Sequence, residues 1–338
     1  MEDKKVTRRR FMRDSAMVAA GVAVGLGTSA GKTARAAADK SVDRSKILNY
    51  NPDMEYRRLG KTDLMVSAVG LGGHSGARAS ERYKIVSRCL DAGINFIDST
   101  GSGELLRDMK ALAGRRDRVH LGISETGREP RDPDYRTAEK LIGVLDQMLK
   151  RAKLEYTDLW RITMYEPGGR HTFNTSCEVV EALEKAKKQG KARFIGFATH
   201  DRRWIKFMIE YFPEIEVVLF PFTTMSKRAQ TDSLFPALKK CDVGAFGIKP
   251  FAAASLFRGD REENDRRARL AIRYILHSNT VIPIPGISVV HEIDNVVKAV
   301  AERRQLDLKE RAELENAGKQ MWSKLPRDYQ WLKDWEYV

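Results

Sequence analysis

Hydrophobic and polar positions alternate in two different rhythms between about residue 54 and residue 300. Short runs rich in Val, Ile and Phe are separated by longer segments whose apolar residues recur every three or four positions, as in 141–149 and 179–186. The first rhythm is typical of buried strands and the second of amphipathic helices, and Gly190 follows one of these helical segments as a C-cap. The alternation predicts successive βα units around a parallel sheet.

The number of strand-like runs distinguishes between the parallel-sheet folds. We predict a hairpin with residues 61–63 in its turn, followed by eight strands at 66–71, 94–98, 119–124, 158–163, 192–198, 217–222, 243–250 and 281–285. Eight strands with seven or eight helices favour a closed (β/α)8 TIM barrel over an open doubly wound sheet. The glycines of 70–73 lack the G-x-G-x-x-G spacing of the doubly wound folds, so they instead allow a close approach of the backbone at the barrel mouth.

The two ends of the chain differ from this pattern. A further helical stretch at 308–324 precedes an aromatic tail, and together they predict a C-terminal extension from about residue 305. The tail and the end of this helix contain Trp322, Tyr329, Trp331, Trp335 and Tyr337. Aromatic side chains at this density predict packing on the barrel exterior or over one mouth, with a partner-binding tail as the alternative.

Residues 1–38 resemble a twin-arginine export signal. The run Thr7-Arg8-Arg9-Arg10-Phe11-Met12-Arg13 fits the consensus, the uncharged stretch at 15–31 is short and Gly-rich, and small-residue cleavage sites follow at 34–38. Such a stretch is too weakly apolar for a stable membrane anchor. The sequence therefore predicts an exported, for example periplasmic, protein that uses the twin-arginine translocation machinery, with a linker at 39–53 and the barrel with its extension at 54–338.

Composition and charge exclude further classes of function. The net charge of +14 includes +5 from the predicted signal, and the remaining basic residues are scattered over helical faces without any nucleic-acid-binding motif, so we expect no nucleic-acid partner. Only three cysteines occur, at 89, 177 and 241, and none are paired in a C-x-x-C spacing. This spacing argues against an iron–sulfur cluster, a cysteine zinc site or a disulfide scaffold.

Several ordered motifs carry a family resemblance. They are the segments 56–62 (YRRLGKT), 66–73 (VSAVGLGG), 91–98 (DAGINFID), 156–159 (YTDL), 190–197 (GKARFIGF), 249–251 (KPF) and 282–286 (IPIPG). In this order they resemble the aldo/keto reductases. The resemblance implies a (β/α)8 barrel with an N-terminal hairpin and a nicotinamide cofactor across the mouth, which passes hydride to a carbonyl carbon of a small-molecule substrate. A Tyr hydroxyl, supported by a Lys, an Asp and a His, protonates the oxygen in this family.

Three of these four catalytic positions are not matched. Asp98 is present, but the loop that follows it is short and contains no aromatic residue, Ser124 stands where the Lys is expected, and Thr163 stands where the His is expected. Loss of a general acid typically reduces the rate 10²- to 10⁴-fold. Standard carbonyl reduction is therefore in question for this chain.

The carboxyl ends of the predicted strands supply the remaining candidates, because barrel active sites lie there. Asp98, Lys249 and Tyr165 are the catalytic candidates, Tyr165 as a displaced phenol and Lys249 as a lone ammonium after an apolar strand. For Lys249 the alternative is a salt bridge to Asp98 or Glu125. The resemblance implies that an NAD(P) cofactor contacts the following residues: Thr199, His200, Pro250, Phe251, Gly286, Ser288, Asp294 and Asn295.

Three hypotheses for function stay open at this point. The first is an exported oxidoreductase, related to the aldo/keto reductases and dependent on NAD(P). The second is a non-catalytic binding protein that has kept the barrel. The third is a metal-dependent site at the mouth built from His74, Asp98, Glu125 and His200; no H-x-H or H-E-x-x-H spacing supports it, so we assign no metal ligands.

Overall fold

The computed structural model describes residues 43–73, 77–164, 172–226, 234–327 and 330. The predicted export signal, His74, Tyr165 and most of the aromatic tail lie outside these residues. The compact unit that contains the barrel begins at Ser45, earlier than the predicted boundary at residue 54. Part of the predicted linker belongs to this unit, because Asn49 Nδ2 donates hydrogen bonds to the carbonyl oxygens of Leu90 and Ile94 at 2.8 and 3.1 Å.

An antiparallel hairpin precedes the barrel. It consists of β1 (Tyr56–Arg58) and β2 (Met65–Ser67), which are joined through a 3-10 turn at Gly60–Thr62. The main sheet has seven parallel strands that pair in chain order. They are β3 (Phe96–Thr100), β4 (His120–Ser124), β5 (Thr157–Thr163), β6 (Ala192–Ala198), β7 (Val217–Pro221), β8 (Gly244–Ile248) and β9 (Ile282–Pro283).

The first barrel position differs from the prediction of a strand at 66–71. Residues 66 and 67 belong to the hairpin, and the barrel is closed by two isolated parallel bridges, from Leu71 to Ile97 and from Gly72 to Gly286. Gly72 is required here, since a Cβ atom at this position would lie 2.4 Å from the carbonyl oxygen of Ile284. With this closure the structure confirms the (β/α)8 barrel.

Nine helices occur in the described part of the chain. They are α1 (Ala79–Asp91), α2 (Ser102–Ala111), α3 (Ala138–Ala152), α4 (Phe173–Lys188), α5 (Arg202–Tyr211), α6 (Leu234–Lys240), α7 (Arg261–His277), α8 (Val290–Ala301) and α9 (Leu308–Ser323). Short 3-10 helices also occur at Arg44–Lys46, Arg116–Arg118 and Pro133–Tyr135. Side chains of Thr137, Thr172 and Asp260 accept hydrogen bonds at the N-termini of α3, α4 and α7, which fixes where these helices begin.

Two apolar layers hold the barrel together. Inside it, the rings of Phe96 and Phe246 stack with centroids 4.2 Å apart, and Leu159 and Val217 belong to the same buried cluster. The second and larger layer lies between the sheet and the surrounding helices. No helix among the described residues has both the length and the apolar content needed to cross a membrane.

The helix α9 packs on the barrel exterior. Leu314 and Met321 share a buried cluster with Leu270 of α7. The two terminal nitrogens of the Arg273 guanidinium, Nη1 and Nη2, donate to the carboxylate of Glu310 at 2.9 and 3.0 Å. This ion pair and the apolar cluster together fix α9 against α7.

Candidate active site

A cavity of about 700 Å³ opens at the carboxyl ends of the parallel strands. Its lining includes Asp98, Thr100, Arg131, Arg161, Thr163, Thr199, His200, Lys249, Pro250, Phe251, Gly286 and Ser288. The structure thus brings together Asp98, Lys249 and six of the eight predicted cofactor residues. The predicted catalytic residue Tyr165 lies outside the described residues.

The cation beside Asp98 is Arg161 of β5. Its Nε and Nη2 atoms donate to the two carboxylate oxygens of Asp98 at 2.8 and 2.7 Å, and both side chains are at least 95% buried. Nη2 also donates to Thr100 Oγ1 at 2.8 Å, and Nη1 donates to Thr163 Oγ1 at 3.1 Å. Burial alone would lower the pKa of Arg161, but the negative charge of Asp98 and its hydrogen bonds raise it. The guanidinium is therefore permanently charged.

Arg161 was not among the residues predicted for the site, although the sequence contains a signal for its inward position. In a strand, side chains two positions apart point to the same face. Leu159 belongs to the cluster inside the barrel, so Arg161, two residues further on, also points inward and reaches the mouth. A charged residue at such an inward position of a fully buried strand marks a polar site.

The two residues at the unmatched family positions have different surroundings. Thr163 lines the cavity and accepts the hydrogen bond from Arg161. Ser124, at the end of β4, is fully buried, and its Oγ has no hydrogen-bond partner in the part of the chain that the structure describes. The cation beside Asp98 thus comes from β5 and not from β4.

Lys249 lies at the cavity rim in a left-handed backbone conformation, with φ of 53°. Both oxygens of Asp98 accept from Arg161, and Glu125 accepts from the backbone N–H and the hydroxyl of Ser102. Both carboxylates that the sequence offered as partners of Lys249 thus accept hydrogen bonds from other residues as well. The loop after Lys249 is also strained, because the three consecutive residues Ala252, Ala253 and Ala254 have φ of 46°, 53° and 64°.

Glu129, in the loop after β4, is a buried acid next to the mouth. Its Oε1 accepts from the backbone N–H of Glu125 at 2.9 Å, and its Oε2 accepts from the backbone N–H of Thr163 at 2.8 Å. Burial raises the pKa of this carboxyl to about 7, although these hydrogen bonds and the charge of Arg161 act in the opposite direction. Glu129 thus titrates near neutral pH while it holds the end of β5.

A second cavity of about 680 Å³ shares Phe251 and Gly286 with the mouth cavity. It lies between α7 and α8, and its wall includes Phe257, Ala268 and Asn295. Asn295 Nδ2 donates to the carbonyl oxygen of Asp265 at 2.9 Å, and Asn295 Oδ1 accepts from Arg269 at 2.7 Å. Together the two cavities form an extended groove from the barrel mouth to the outer helices.

Two of the predicted cofactor residues have partners within the protein. Asp294 is half exposed and is not part of the groove, because its carboxylate is 2.6 Å from Arg88 Nε on α1. Asp294 and Asn295 are adjacent on α8, so the helical rotation of about 100° per residue directs only Asn295 towards α7. Ser288 lines the mouth, but its backbone N–H donates to Glu292 at 2.6 Å, and this carboxylate occupies the amide proposed for a phosphate.

The metal hypothesis finds no geometric support. No group of three His, Cys, Asp or Glu side chains within 43–73, 77–164, 172–226 and 234–327 is arranged to hold a metal ion. Asp98 is bound by Arg161, and Glu125 lines a different cavity from His200.

Comparison with known proteins agrees with the fold. The model of the aldo/keto reductase family matches residues 68–269, more than half of the chain, and the protein belongs to this family. It is 25% identical to L-galactose dehydrogenase of Arabidopsis thaliana over 293 residues, which cover 75% of this chain and 91% of that enzyme. It is 27% identical to L-glyceraldehyde 3-phosphate reductase of Escherichia coli K12, over 60% of this chain and 63% of that enzyme.

Solved structures show the same barrel. An aldo-keto reductase from Bacillus halodurans in its holo form has a TM-score of 0.65 and 22% identity, with 78% of this chain and 96% of that chain covered. An aldo/keto reductase from Brucella melitensis has a TM-score of 0.59 and 18% identity, with 78% and 97% covered. At this identity the likeness concerns the fold alone.

Proposed function

We propose that this protein is an exported oxidoreductase that acts on a small polyhydroxylated carbonyl compound, or on the corresponding alcohol, at the barrel mouth. The observation that carries the proposal is the guanidinium of Arg161, held on the cavity wall by two hydrogen bonds to Asp98. Reduction of a carbonyl places negative charge on its oxygen, and a preorganised cation in a water-poor site stabilises that charge. Two relatives named above are sugar or sugar-phosphate oxidoreductases, which supports a polyhydroxylated substrate.

Different residues of the chain bind the substrate oxygen, position the cation and transfer the proton in this proposal. Arg161 donates a hydrogen bond to the substrate oxygen but keeps its proton, since its pKa is too high for proton transfer. Asp98 is a positioning residue that fixes the guanidinium plane. Lys249 lines the same cavity and supplies the proton to the oxygen, because an ammonium can act as a general acid. Thr163 and His200 offer further polar contacts to the substrate.

The extended groove fits a nicotinamide dinucleotide at its adenosine end. The aromatic rings of Phe251 and Phe257 and the amide of Asn295 would hold the adenosine, while Thr199, His200 and Pro250 lie at the mouth. When bound, such a cofactor supplies or accepts the hydride. The N–H of Ser288 donates to Glu292, so this hydrogen bond must break before the amide can contact a phosphate. We therefore expect weaker dinucleotide binding than at a helix whose preceding amides are free.

The first experiment measures cofactor binding and turnover on the same purified, exported protein. We expect saturable binding of NADH or NADPH by intrinsic fluorescence, and carbonyl-dependent oxidation of the bound cofactor with a panel of aldoses. Lys249→Met should lower kcat at least 100-fold while the dinucleotide affinity stays within a few-fold, because Lys249 acts on the proton. Lys239→Met, an exposed lysine of α6, is the matched control and should leave both values unchanged.

The absence of dinucleotide binding at millimolar concentration would refute the oxidoreductase proposal. The second candidate, a barrel that binds a small polar molecule without turning it over, is favoured by one observation, the capping of the Ser288 amide by Glu292. It predicts that a sugar-like ligand binds at the mouth with the same affinity in the presence and absence of dinucleotide.

A further inference from the structure

A third cavity, of about 710 Å³, lies between α2 and α3 and shares Thr100 with the mouth cavity. Three arginines from three segments line it: Arg107 of α2, Arg128 of the loop after β4, and Arg151 near the end of α3. We refer to these three residues and the cavity between them as the arginine groove. The proposed oxidoreductase reaction uses none of these arginines.

The two acidic residues in the arginine groove already have partners. Glu125 accepts from the backbone N–H of Ser102 at 2.9 Å and from its hydroxyl, and lies 3.6 Å from Arg128 Nη2. Glu104 is buried, and its Oε2 accepts from the backbone N–H of Thr100 at 3.0 Å. Behind Glu104, the guanidinium of Arg82 lies 4.0 Å from the other carboxylate oxygen. Glu125 is therefore compensated by Arg128, whereas Glu104 shares the charge of Arg82 with Asp108, which accepts from the same guanidinium at 2.5 and 3.0 Å.

The remaining two arginines have no such compensation. Arg128 Nη1 donates to Gln147 Oε1 at 2.5 Å, which anchors that side chain on α3. Arg107 and Arg151 make no hydrogen bond or ion pair with any residue in the described ranges, and both line the arginine groove. The three arginines of the groove outnumber the two carboxylates on its wall, and this excess of positive charge favours an anion.

The start of α2 adds backbone donors to the same wall. Gly101, with φ of 93°, turns the chain from β3 into the ten-residue helix, and the first N–H groups of a helix have no intrahelical partner. The N–H of Ser102 is used by Glu125, but that of Gly103 has no partner in the described part of the chain. A Cβ atom at Gly103 would have no neighbour within 4 Å, so the backbone there is open to a ligand.

We propose that the arginine groove binds the phosphate group of a small phosphorylated molecule. Guanidinium groups donate pairs of parallel hydrogen bonds to phosphate oxygens, and a helix N-terminus favours a dianion. The volume of about 710 Å³ exceeds the space that a single phosphate needs, so the groove also accommodates an organic group of monosaccharide size. The ligand class is therefore a phosphomonoester, and this site is independent of catalysis at the mouth.

The test is calorimetric titration of the purified protein with glycerol 1-phosphate, inorganic phosphate and glycerol. We expect one molecule of glycerol 1-phosphate to bind per chain and glycerol not to bind. Binding of glycerol 1-phosphate at least fivefold tighter than inorganic phosphate supports a phosphomonoester. Equal affinities would overturn the phosphomonoester assignment in favour of free phosphate.

Variants place the binding in the arginine groove. Arg107→Met and Arg151→Met should each weaken glycerol 1-phosphate binding about tenfold, since one charge-assisted contact of about 1.4 kcal/mol is lost. Arg107→Lys should recover part of the affinity by retaining the charge. Arg203→Met, an exposed arginine of α5, is the matched control and should bind like the wild type. Binding that survives both groove variants but is lost in Lys249→Met would overturn the proposal, because the phosphate would then lie at the mouth.

Discussion

Arg161 and Asp98 form a two-point ion pair across two strands of the barrel, with N–O distances of 2.8 and 2.7 Å. The two residues are 63 positions apart in the sequence, and β4 separates their strands in the sheet. Both are buried, so each charge depends on the other for compensation.

Removal of one partner of this pair should be more harmful than removal of both. We expect Arg161→Met to lower the free energy of unfolding by about 3–5 kcal/mol, because it leaves a buried carboxylate without a cation. The double variant Asp98→Leu with Arg161→Met should be more stable than Arg161→Met alone. Urea denaturation of the wild type, both single variants and the double variant gives the coupling energy. Simple additivity of the two single effects would show that the ion pair does not act as a unit.

Glu129 should make stability fall as the pH rises towards neutrality. Its carboxyl has a pKa of about 7 in the folded protein, against 4.5 for the unfolded chain, because burial disfavours the charged form. Between pH 4.5 and pH 7 the folded state binds more protons than the unfolded state, so the free energy of unfolding decreases as the pH rises. The stability that protonated Glu129 contributes is fully present below about pH 4.5 and is lost as the pH rises through 7. This change amounts to about 3 kcal/mol at most.

The variant Glu129→Gln isolates this contribution, since an amide does not titrate. We expect the difference in unfolding free energy between wild type and variant to change with pH between 4.5 and 7 and to be constant above pH 8. Urea denaturation in a series of buffers measures it. Parallel pH curves for the two proteins would contradict a raised pKa at this position.

A glycine should relieve the backbone strain in the left-handed turn at the mouth. Ala253 has φ of 53°, a conformation that costs a non-glycine residue about 1–2 kcal/mol. We expect Ala253→Gly to raise the free energy of unfolding by up to about 1 kcal/mol, after the larger entropy of the unfolded glycine is deducted. In contrast, Ala312→Gly, at an exposed position inside α9, should lower it by about 0.5–1 kcal/mol. Thermal unfolding of both variants checks the opposite signs; a loss of stability in both would refute strain at the turn.

Two glycines should respond in opposite ways to substitution by alanine. A Cβ atom at Gly196 of β6 would lie 2.0 Å from the carbonyl oxygen of Val217 on β7, so Gly196→Ala must push the two strands apart. We expect a loss of at least about 2 kcal/mol in urea denaturation. Gly143 lies inside α3 with no atom within 4 Å of such a Cβ, and Gly143→Ala should gain up to about 1 kcal/mol. Equal effects of the two substitutions would argue against the close strand approach at Gly196.

Much of the architecture could be predicted from local patterns. The strand predicted at 192–198 coincides with β6 (Ala192–Ala198), and the other six sheet strands differ from their predictions by at most two residues at either end. The prediction of the first barrel strand was wrong. Residues 66–67 belong to the hairpin, and isolated bridges at Leu71 and Gly72 close the barrel in place of a regular strand. Hydrophobic periodicity indicates burial, but it does not say which of two neighbouring strands a buried segment pairs with.

The site was predictable only in part. The sequence placed Asp98 and Lys249 at strand ends, and both line the mouth cavity. It did not identify Arg161 as the partner of Asp98, and it did not indicate that Asp294 pairs with Arg88. The first relationship is a contact between distant strands, and the second depends on the rotation of α8 about its axis.

The sequence by itself determined the order of strands and helices, the family and the position of the surviving carboxylate, because these follow from residue type and local spacing. Only the tertiary structure decided that a guanidinium on β5 compensates this carboxylate and that Glu292 accepts from the amides of Ser288 and Val289 just before α8. It also decided that two arginines without an ion-pair partner among the described residues share a groove between α2 and α3. Each of these relationships joins side chains whose distance depends on how the barrel closes and how each helix is turned against it, which no local pattern records.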